Sequence, residues 1–243
     1  GRIEKMSKSK KNVVDPQQII QSFGADTARF FMLSDSPPNR DMEWSVSGIE
    51  GSWRFLNKLW NFVNNLEIEK TEKNLPIDLL KSQKDLLATL NSTIKEVTKS
   101  IDNFHFNIAV ASIRSMFNSL TSYKILDNND RIVVSYTTKK LLILINPMVP
   151  HIAEELWDKF SENKNMISVE LWPVINTSYE ETNKIKIPVQ VNGKMRAIIE
   201  VQTNLSKDDL EKTALNEKNV LKFLNGTPKK VIIVPNRIVN FVI

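Results

Sequence analysis

Cysteine is absent from this chain of 243 residues. Disulfides and thiolate metal sites are thereby excluded, and a reducing, cytosolic setting is the expectation. Only two histidines occur, His105 and His151, so no zinc-ligand set is present. None of the six glycines falls in a GxxxxGK[ST] or GxGxxG pattern, which removes the Walker loop and the dinucleotide fingerprint. Long apolar runs are missing as well. The densest, Leu141 to Ile145, is far too short to cross a bilayer, so no membrane partner is expected. No signal peptide is recognisable. The chain opens on Gly1 rather than Met, directly at a motif-like segment, and the expectation is that further chain precedes it.

What is present is positive charge in two places. Residues 1–65 carry a net +2, residues 66–183 a net −3, and residues 184–243 a net +6. The last sixty residues are therefore the basic module, suited to a polyanion such as RNA or else merely a solvated surface. The other concentration is the stretch KMSKSKKN, Lys5 to Asn12, with four lysines in eight residues. Two readings compete: a mobile charged tail, or a loop that grips phosphates. Lysine supplies compact positive charge and serine small donors that do not crowd a polyphosphate. Their natural task is to stabilise charge growing on a departing pyrophosphate.

Helical punctuation comes next along the chain. Asp15 is a suitable N-cap, Pro16 fits the first helical position, and Gly24 suits the end of that helix. Asp26 is expected to cap a second helix bearing Phe30, Phe31 and Leu33, and the stretch Ser36 to Asp41 to form a loop. Ser45 opens a long amphipathic helix. There Trp53, Leu56, Trp60 and Val63 recur at 3-4-3 spacing, while Arg54, Asn57, Lys58 and Asn61 line the opposite face. The polar stretch from Leu66 to Pro76 is expected to be a linker. Beyond it, Leu87, Leu90, Ile94, Val97, Ile101 and Phe104 form one stripe, and Phe106, Ala109, Ile113, Met116 and Leu120 another. Two adjacent stripes joined by a short turn predict an antiparallel helix pair. A third helix is expected over Asn129 to Ile145. After the break at Pro147, Pro150 starts a fourth with Ile152, Leu156 and Phe160 on one face. The polar stretch Asn176 to Asn183 is expected to join this part to the next. From Lys184 the period becomes two, Asn192–Gly193 signals a type I′ hairpin, and Ser206 caps a helix. The order predicted for the last sixty residues is ββααββ.

The motifs carry a resemblance. KMSKS, Lys5 to Ser9, is identical to the second signature of the class I aminoacyl-tRNA synthetases. The segment KSKKNVVDPQQIIQSFGADTARFFML resembles the stretch after that motif in the leucine, isoleucine, valine and methionine members. NPMVPHIAEELW is similar to their helical anticodon-binding domain. IPVQVNGKMRAIIEV with the ending KKVIIVPNRIVNFVI resembles the C-terminal domain of the bacterial leucyl branch. The resemblance covers essentially the whole chain. It departs from the family in lacking the HIGH signature, so the nucleotide-binding half, the amino-acid pocket and the editing domain would lie upstream of Gly1, and this chain alone would not activate an amino acid.

The resemblance implies a mainly α fold. An antiparallel helix bundle of anticodon-binding type would be preceded by the KMSKS loop and short helices, and succeeded by a small α+β domain. The divisions would be 1–44 for the loop and stem-contact region, 45–175 for the helical domain and 184–243 for the tRNA-binding C-terminal domain. It implies ATP with Mg2+ as substrate, no zinc in this segment, tRNA(Leu) as partner, leucine bound through the missing part, a cytoplasmic location and a monomer at full length. Lys8 would be the catalytic lysine, meeting the ATP phosphates as the amino-acid carboxylate attacks the α-phosphorus. Lys5, Met6, Ser7 and Ser9 would complete the ATP loop, with Met6 under the adenine, while Lys10 and Lys11 are read as solvated. Arg54 and Lys58 would face tRNA, as would Lys186, Lys194, Arg196, Lys229, Lys230 and Arg237 at the basic end. His105 and His151 are read as structural, and Trp53, Trp60 and Trp157 as core packing rather than base stacking. The alternative is a non-catalytic helical module that binds structured RNA, which would have no need of KMSKS.

Overall fold

In the computed structural model of the protein, residues 4–68, 75–161, 165–179, 184–202, 205–224, 226, 228, 230–234 and 237–242 are described. The side chains of residues 184–186 and 202 lie outside that description. The chain is mainly helical with one small four-stranded sheet. It divides into two compact units, Gly1–Glu180 and Glu181–Ile243.

The first unit begins with the lysine loop and then α1 (Pro16–Phe23). The Asp15 carboxylate accepts from Gln17 N at 2.9 Å and Pro16 occupies the first turn. Gly24 ends α1 at φ +84°, a conformation glycine adopts without steric cost. It also serves as the N-cap of α2 (Ala25–Asp35), with no side-chain capping bond. Asp26 does not cap α2, contrary to the sequence expectation. Its carboxylate is turned across the unit to the start of α7 (Pro150–Trp157), where geometry offers it two donors. Ser45 caps α3 (Val46–Asn65), accepting from Gly48 N at 3.2 Å.

The stripe on α3 also differs from expectation. The buried face is Ile49, Ser52, Phe55, Leu56, Leu59 and Val63, whereas Trp53 is 44% and Trp60 39% exposed. The 3-4 step starting at Ile49 is the one that meets α2 and α5 (Phe106–Ser122), and the two tryptophans flank it on the solvent side. Phe55 stacks on Phe30 of α2, ring centroids 5.1 Å apart, and the Arg114 guanidinium lies about 5 Å from both rings. That contact joins α2, α3 and α5. Trp157, in contrast, is a core residue as expected.

The helices α4 (Lys81–Asp102), α5 (Phe106–Ser122), α6 (Asn128–Ile145) and α7 (Pro150–Trp157) complete the unit. Leu87, Leu90, Ile94 and Val97 of α4 pack with Ala109, Ile113, Met116 and Leu120 of α5 in one buried cluster. The connection of three residues between them makes the pair antiparallel. Phe104 is the exception on its stripe: it lies beyond the helix at φ +58° and is 65% exposed. Asp127 caps α6 and Asp130 returns the bond, a capping box. Asn176, the first residue of the polar stretch expected to join the two parts, is tied to the bundle. Its N–H donates to Asn91 Oδ1 at 3.0 Å and its carbonyl accepts from Asn91 Nδ2 at 2.7 Å. Most of the expected linker between Leu66 and Pro76 lies outside the described residues.

The second unit comprises β1 (Lys184–Val191), β2 (Lys194–Gln202), α8 (Lys207–Leu215), α9 (Lys218–Leu221), β3 (Lys230–Val234) and β4 (Ile238–Val242). Asn192 and Gly193, at φ +50° and +76°, make the hairpin turn between β1 and β2. The sheet order is β2-β1-β4-β3, with β1 and β4 parallel and the other pairs antiparallel. Val189, Val191, Ile199, Val201, Val239 and Phe241 face Leu210, Ala214 and Val220 of the helices, forming a core of their own. Ser206 caps α8, accepting from Asp209 N at 3.1 Å.

Candidate nucleotide loop and basic surface

Two consecutive turns shape the lysine loop: Lys10 N donates to Ser7 O and Lys11 N to Lys8 O, each at 3.2 Å. Around them, Asn12 closes the base. Its Oδ1 accepts from Ser7 N at 2.8 Å, and its Nδ2 donates to Lys5 O at 3.3 Å. The Ser7 and Ser9 hydroxyls lie 3.3 Å apart. Lys5, Met6, Lys8 and Ser9 are exposed and Ser7 is half-buried. Lys10 makes an exposed ion pair with Glu4 at 3.2 Å. Lys8 makes no ion pair or hydrogen bond through its side chain among the described residues. Lys8 thus presents an exposed ammonium, without a side-chain partner among the described residues, on a closed turn. Sequence reasoning gave a role to every residue of the loop except Asn12, which it included only as the end of the stretch. The available signal was an Asn directly after a run of turn-forming polar residues, a position where its amide can close its own turn.

The segment carrying this loop is anchored to the bundle by α2. Asp26, 9% exposed, accepts from Ile152 N at 2.8 Å and holds His151 Nδ1 at 2.8 Å. It therefore caps α7 from another helix, and His151 is a partner in that cap, which agrees with its structural reading. Three residues on, Arg29 donates from Nε to Met148 O at 3.1 Å and from Nη2 to Pro147 O at 2.9 Å. Together the two side chains fix the corner between α6 and α7. Beside them opens a cleft of about 480 Å3, lined in part by Phe23, Trp53, Asn57, Trp60 and His151. His105 occupies the N-cap position of α5 without a side-chain capping bond.

The residues expected to face tRNA are spread over both units. Arg54 and Lys58 are exposed on α3, and Arg54 pairs with Glu50 at 3.6 Å. In the second unit, Lys194 and Lys230 begin the two edge strands. Register places both at the end of the sheet that carries the Asn192–Gly193 turn. Three strand spacings separate them, roughly 14 Å. Arg237 is exposed in the β3–β4 turn, at the opposite end of the sheet. Strand alternation would place Lys194 and Arg196 on the same face of β2, but it is interrupted. Gln190 pairs with Met195 and Val189 with Ala197, so Arg196 is a bulge residue without a partner across the ladder. Its guanidinium lies 3.7 Å from the centroid of the Phe223 ring. Lys229 and the side chain of Lys186 lie outside the described residues. Among the described residues no group of histidine, aspartate and glutamate side chains could hold a metal ion, and no helix is long and apolar enough to cross a membrane.

Known proteins share both the loop and the bundle. Residues 83–212 match the anticodon-binding domain of tRNA ligase, and residues 1–45 match the class I tRNA synthetases of the I, L, M and V group. Over its whole length the chain is 42% identical to the leucine–tRNA ligase of Paramagnetospirillum magneticum and 42% identical to that of Rickettsia bellii. It spans 28% of the length of each. Among solved structures it is similar to the LeuRS of Agrobacterium radiobacter, determined as a ternary complex with tRNA and LeuAMS. That match has a TM-score of 0.75 and 31% identity, and covers 98% of this chain and 30% of the other.

Proposed function

The chain belongs to the class I tRNA ligases that carry this anticodon-binding domain, and from that premise we propose that it is the C-terminal segment of a leucine–tRNA ligase. The ligase activates leucine with ATP, forming leucyl-adenylate and releasing pyrophosphate, and then transfers the leucyl group to tRNA(Leu) with release of AMP. In this reading residues 1–44 supply the ATP loop and its support, 45–175 the helical tRNA-binding domain, and 184–243 a ββααββ module for tRNA. The full-length protein would be a cytoplasmic monomer, with the leucine pocket built by chain beyond this segment.

The observation that carries the proposal is Lys8, an ammonium with no side-chain partner among the described residues, at the tip of a turn closed by side chains. When a leucine carboxylate oxygen attacks the α-phosphorus of MgATP, the bond from that phosphorus to the α,β-bridging oxygen breaks and negative charge grows on the departing pyrophosphate. Lys8 meets that charge. Because it grows during bond breaking, a lysine aimed there stabilises the transition state more than bound ATP, and so raises the rate rather than the affinity. Ser7 and Ser9 offer hydroxyl donors on the same turn, Lys5 a second charge, and Met6, 42% exposed, an apolar surface for the adenine. The phosphates of tRNA would be met by Arg54 and Lys58 on α3, and by Lys186, Lys194, Arg196, Lys229, Lys230 and Arg237 at the basic end.

Lys8→Ala in the full-length ligase tests this reading. Leucine-dependent ATP–pyrophosphate exchange should fall by about 2–4 kcal/mol of barrier, the scale of losing one preorganised charge partner. The Kd for leucine should change little, since the loop is not part of the leucine pocket. Exchange at the normal rate in that variant would remove the ATP-loop role.

A further inference from the structure

We infer that Asn12 is the positioning residue of the lysine loop, setting the direction of Lys8 by clamping the backbone on both sides of Met6. The inference rests on the ATP-loop reading above and deepens it. Both ends of the Asn12 amide are used: Oδ1 accepts from Ser7 N at 2.8 Å, and Nδ2 donates to Lys5 O at 3.3 Å. No other side chain of this length offers an acceptor and a donor together on one short stem. Aspartate keeps the acceptor but loses the donor, and alanine loses both.

Two further observations point the same way. Lys11, the residue before Asn12, has φ +54°, a left-handed conformation that L side chains adopt only under constraint. Its amide already closes a turn on Lys8 O at 3.2 Å, so the chain must reverse at Lys11 for Asn12 to reach back to Lys5 and Ser7. The clamp therefore holds a strained residue in place. In addition, the neighbouring lysines are oriented differently. Lys10 is tied to Glu4 at 3.2 Å, whereas Lys8 has no side-chain tie among the described residues. The position of Lys8 is consequently set through its backbone, which Asn12 clamps at Lys5 and Ser7 while the Ser7 hydroxyl accepts from Lys10 N at 3.3 Å. Holding a charged group near its working position before substrate arrives avoids the entropy of ordering it during the reaction.

The test uses the full-length ligase and leucine-dependent ATP–pyrophosphate exchange, with Lys8→Ala measured alongside. Asn12→Ala should lower kcat about tenfold, leave KM for leucine within about twofold, and leave the melting temperature of the enzyme unchanged, because the loop is at the surface. Asn12→Asp, which keeps one of the two ties, should lose less. The distinguishing variant is the pair Lys11→Gly/Asn12→Ala. Glycine adopts the left-handed conformation freely, so the turn closes with fewer ties and kcat should recover about threefold over Asn12→Ala. A full kcat for Asn12→Ala, with Lys8→Ala still impaired, would overturn the inference and leave the ATP-loop reading standing. Absence of recovery in the pair would likewise overturn it. Should Lys8→Ala itself exchange normally, both readings fall.

Discussion

Two buried carboxylates tie distant segments together at the scale of single residues. Asp26 joins α2 to the start of α7 through Ile152 N and His151 Nδ1. Replacing it by alanine strands the Ile152 N–H, and the expected loss is about 1–3 kcal/mol of unfolding free energy. Urea titration should show a lower midpoint at an unchanged slope, and Asp26→Asn, which retains an acceptor, should lose less. Asp130, 3% exposed, accepts from Tyr123 Oη at 2.6 Å, Gln83 Nε2 at 2.8 Å and Leu126 N at 2.9 Å. Burial alone would raise its carboxyl, but these bonds and that from Asp127 N outweigh it and hold it below the ordinary aspartate value. The Tyr123 hydroxyl is pushed up to about 12, first by burial and then by its bond to Asp130. Since the Asp130 carboxyl binds its proton less readily folded than unfolded, its contribution is complete above the unfolded value of about 3.9. It is lost as pH falls through the lower folded value. Denaturation midpoints measured from pH 5 downward should therefore fall less steeply in Asp130→Asn than in the parent. Equal slopes would assign the acid sensitivity to other groups.

Helix α3 shows at the scale of elements how close approach selects residues. A Cβ placed on Gly48 would lie 2.5 Å from Cε2 of Phe31. That ring is 2% exposed and packs edge-on against Trp44 at 5.3 Å, so it has little room to yield. Gly48→Ala should cost about 1–3 kcal/mol despite the better helix propensity of alanine, read from the melting temperature of the purified protein. A stabilised variant would mean that the ring relaxes freely. The caps at Asp15, Ser45 and Ser206 were legible in the sequence because a cap is a local bond between residues two or three apart. The face of α3 was less so. Periodicity identifies an apolar stripe only to within a residue or two, and Trp53 and Trp60 at the border of that stripe count as apolar while remaining at the surface.

Charge distribution is the property that belongs to the whole molecule. Residues 184–243, within the second unit, carry a net +6, more than the +5 of the whole chain. If the chain is part of a leucine–tRNA ligase as proposed, removing these residues from the full-length enzyme should leave ATP–pyrophosphate exchange largely intact, since that reaction needs no tRNA, while transfer to tRNA falls sharply. Full-rate charging by the truncated enzyme would reduce that charge to a solvated surface. Filter binding at several salt concentrations resolves the contacts further. Lys194 and Lys230 lie at one end of the sheet and Arg237 at the other. If tRNA lies along the hairpin end, Lys194→Ala/Lys230→Ala should lower the salt slope by about two, one per lost phosphate contact, and Arg237→Ala should leave it unchanged. The reverse pattern would move the contact to the opposite end.

The lysine loop, the caps at Asp15, Ser45 and Ser206, the 3-4 stripes of α4 and α5, the Asn192–Gly193 turn and the uneven charge were all determined by the sequence itself. Each depends on neighbours within a few residues, so the order of amino acids carries the whole cause. Tertiary structure decided the rest. Asp26 finds its partners 125 and 126 residues away, β4 enters the sheet parallel to β1, and the bulge at Arg196 turns its guanidinium onto Phe223. These arrangements follow from which buried donors and apolar faces remain once the helices and strands pack. A one-dimensional pattern contains the groups that need partners, and only the folded chain determines which partners come within reach.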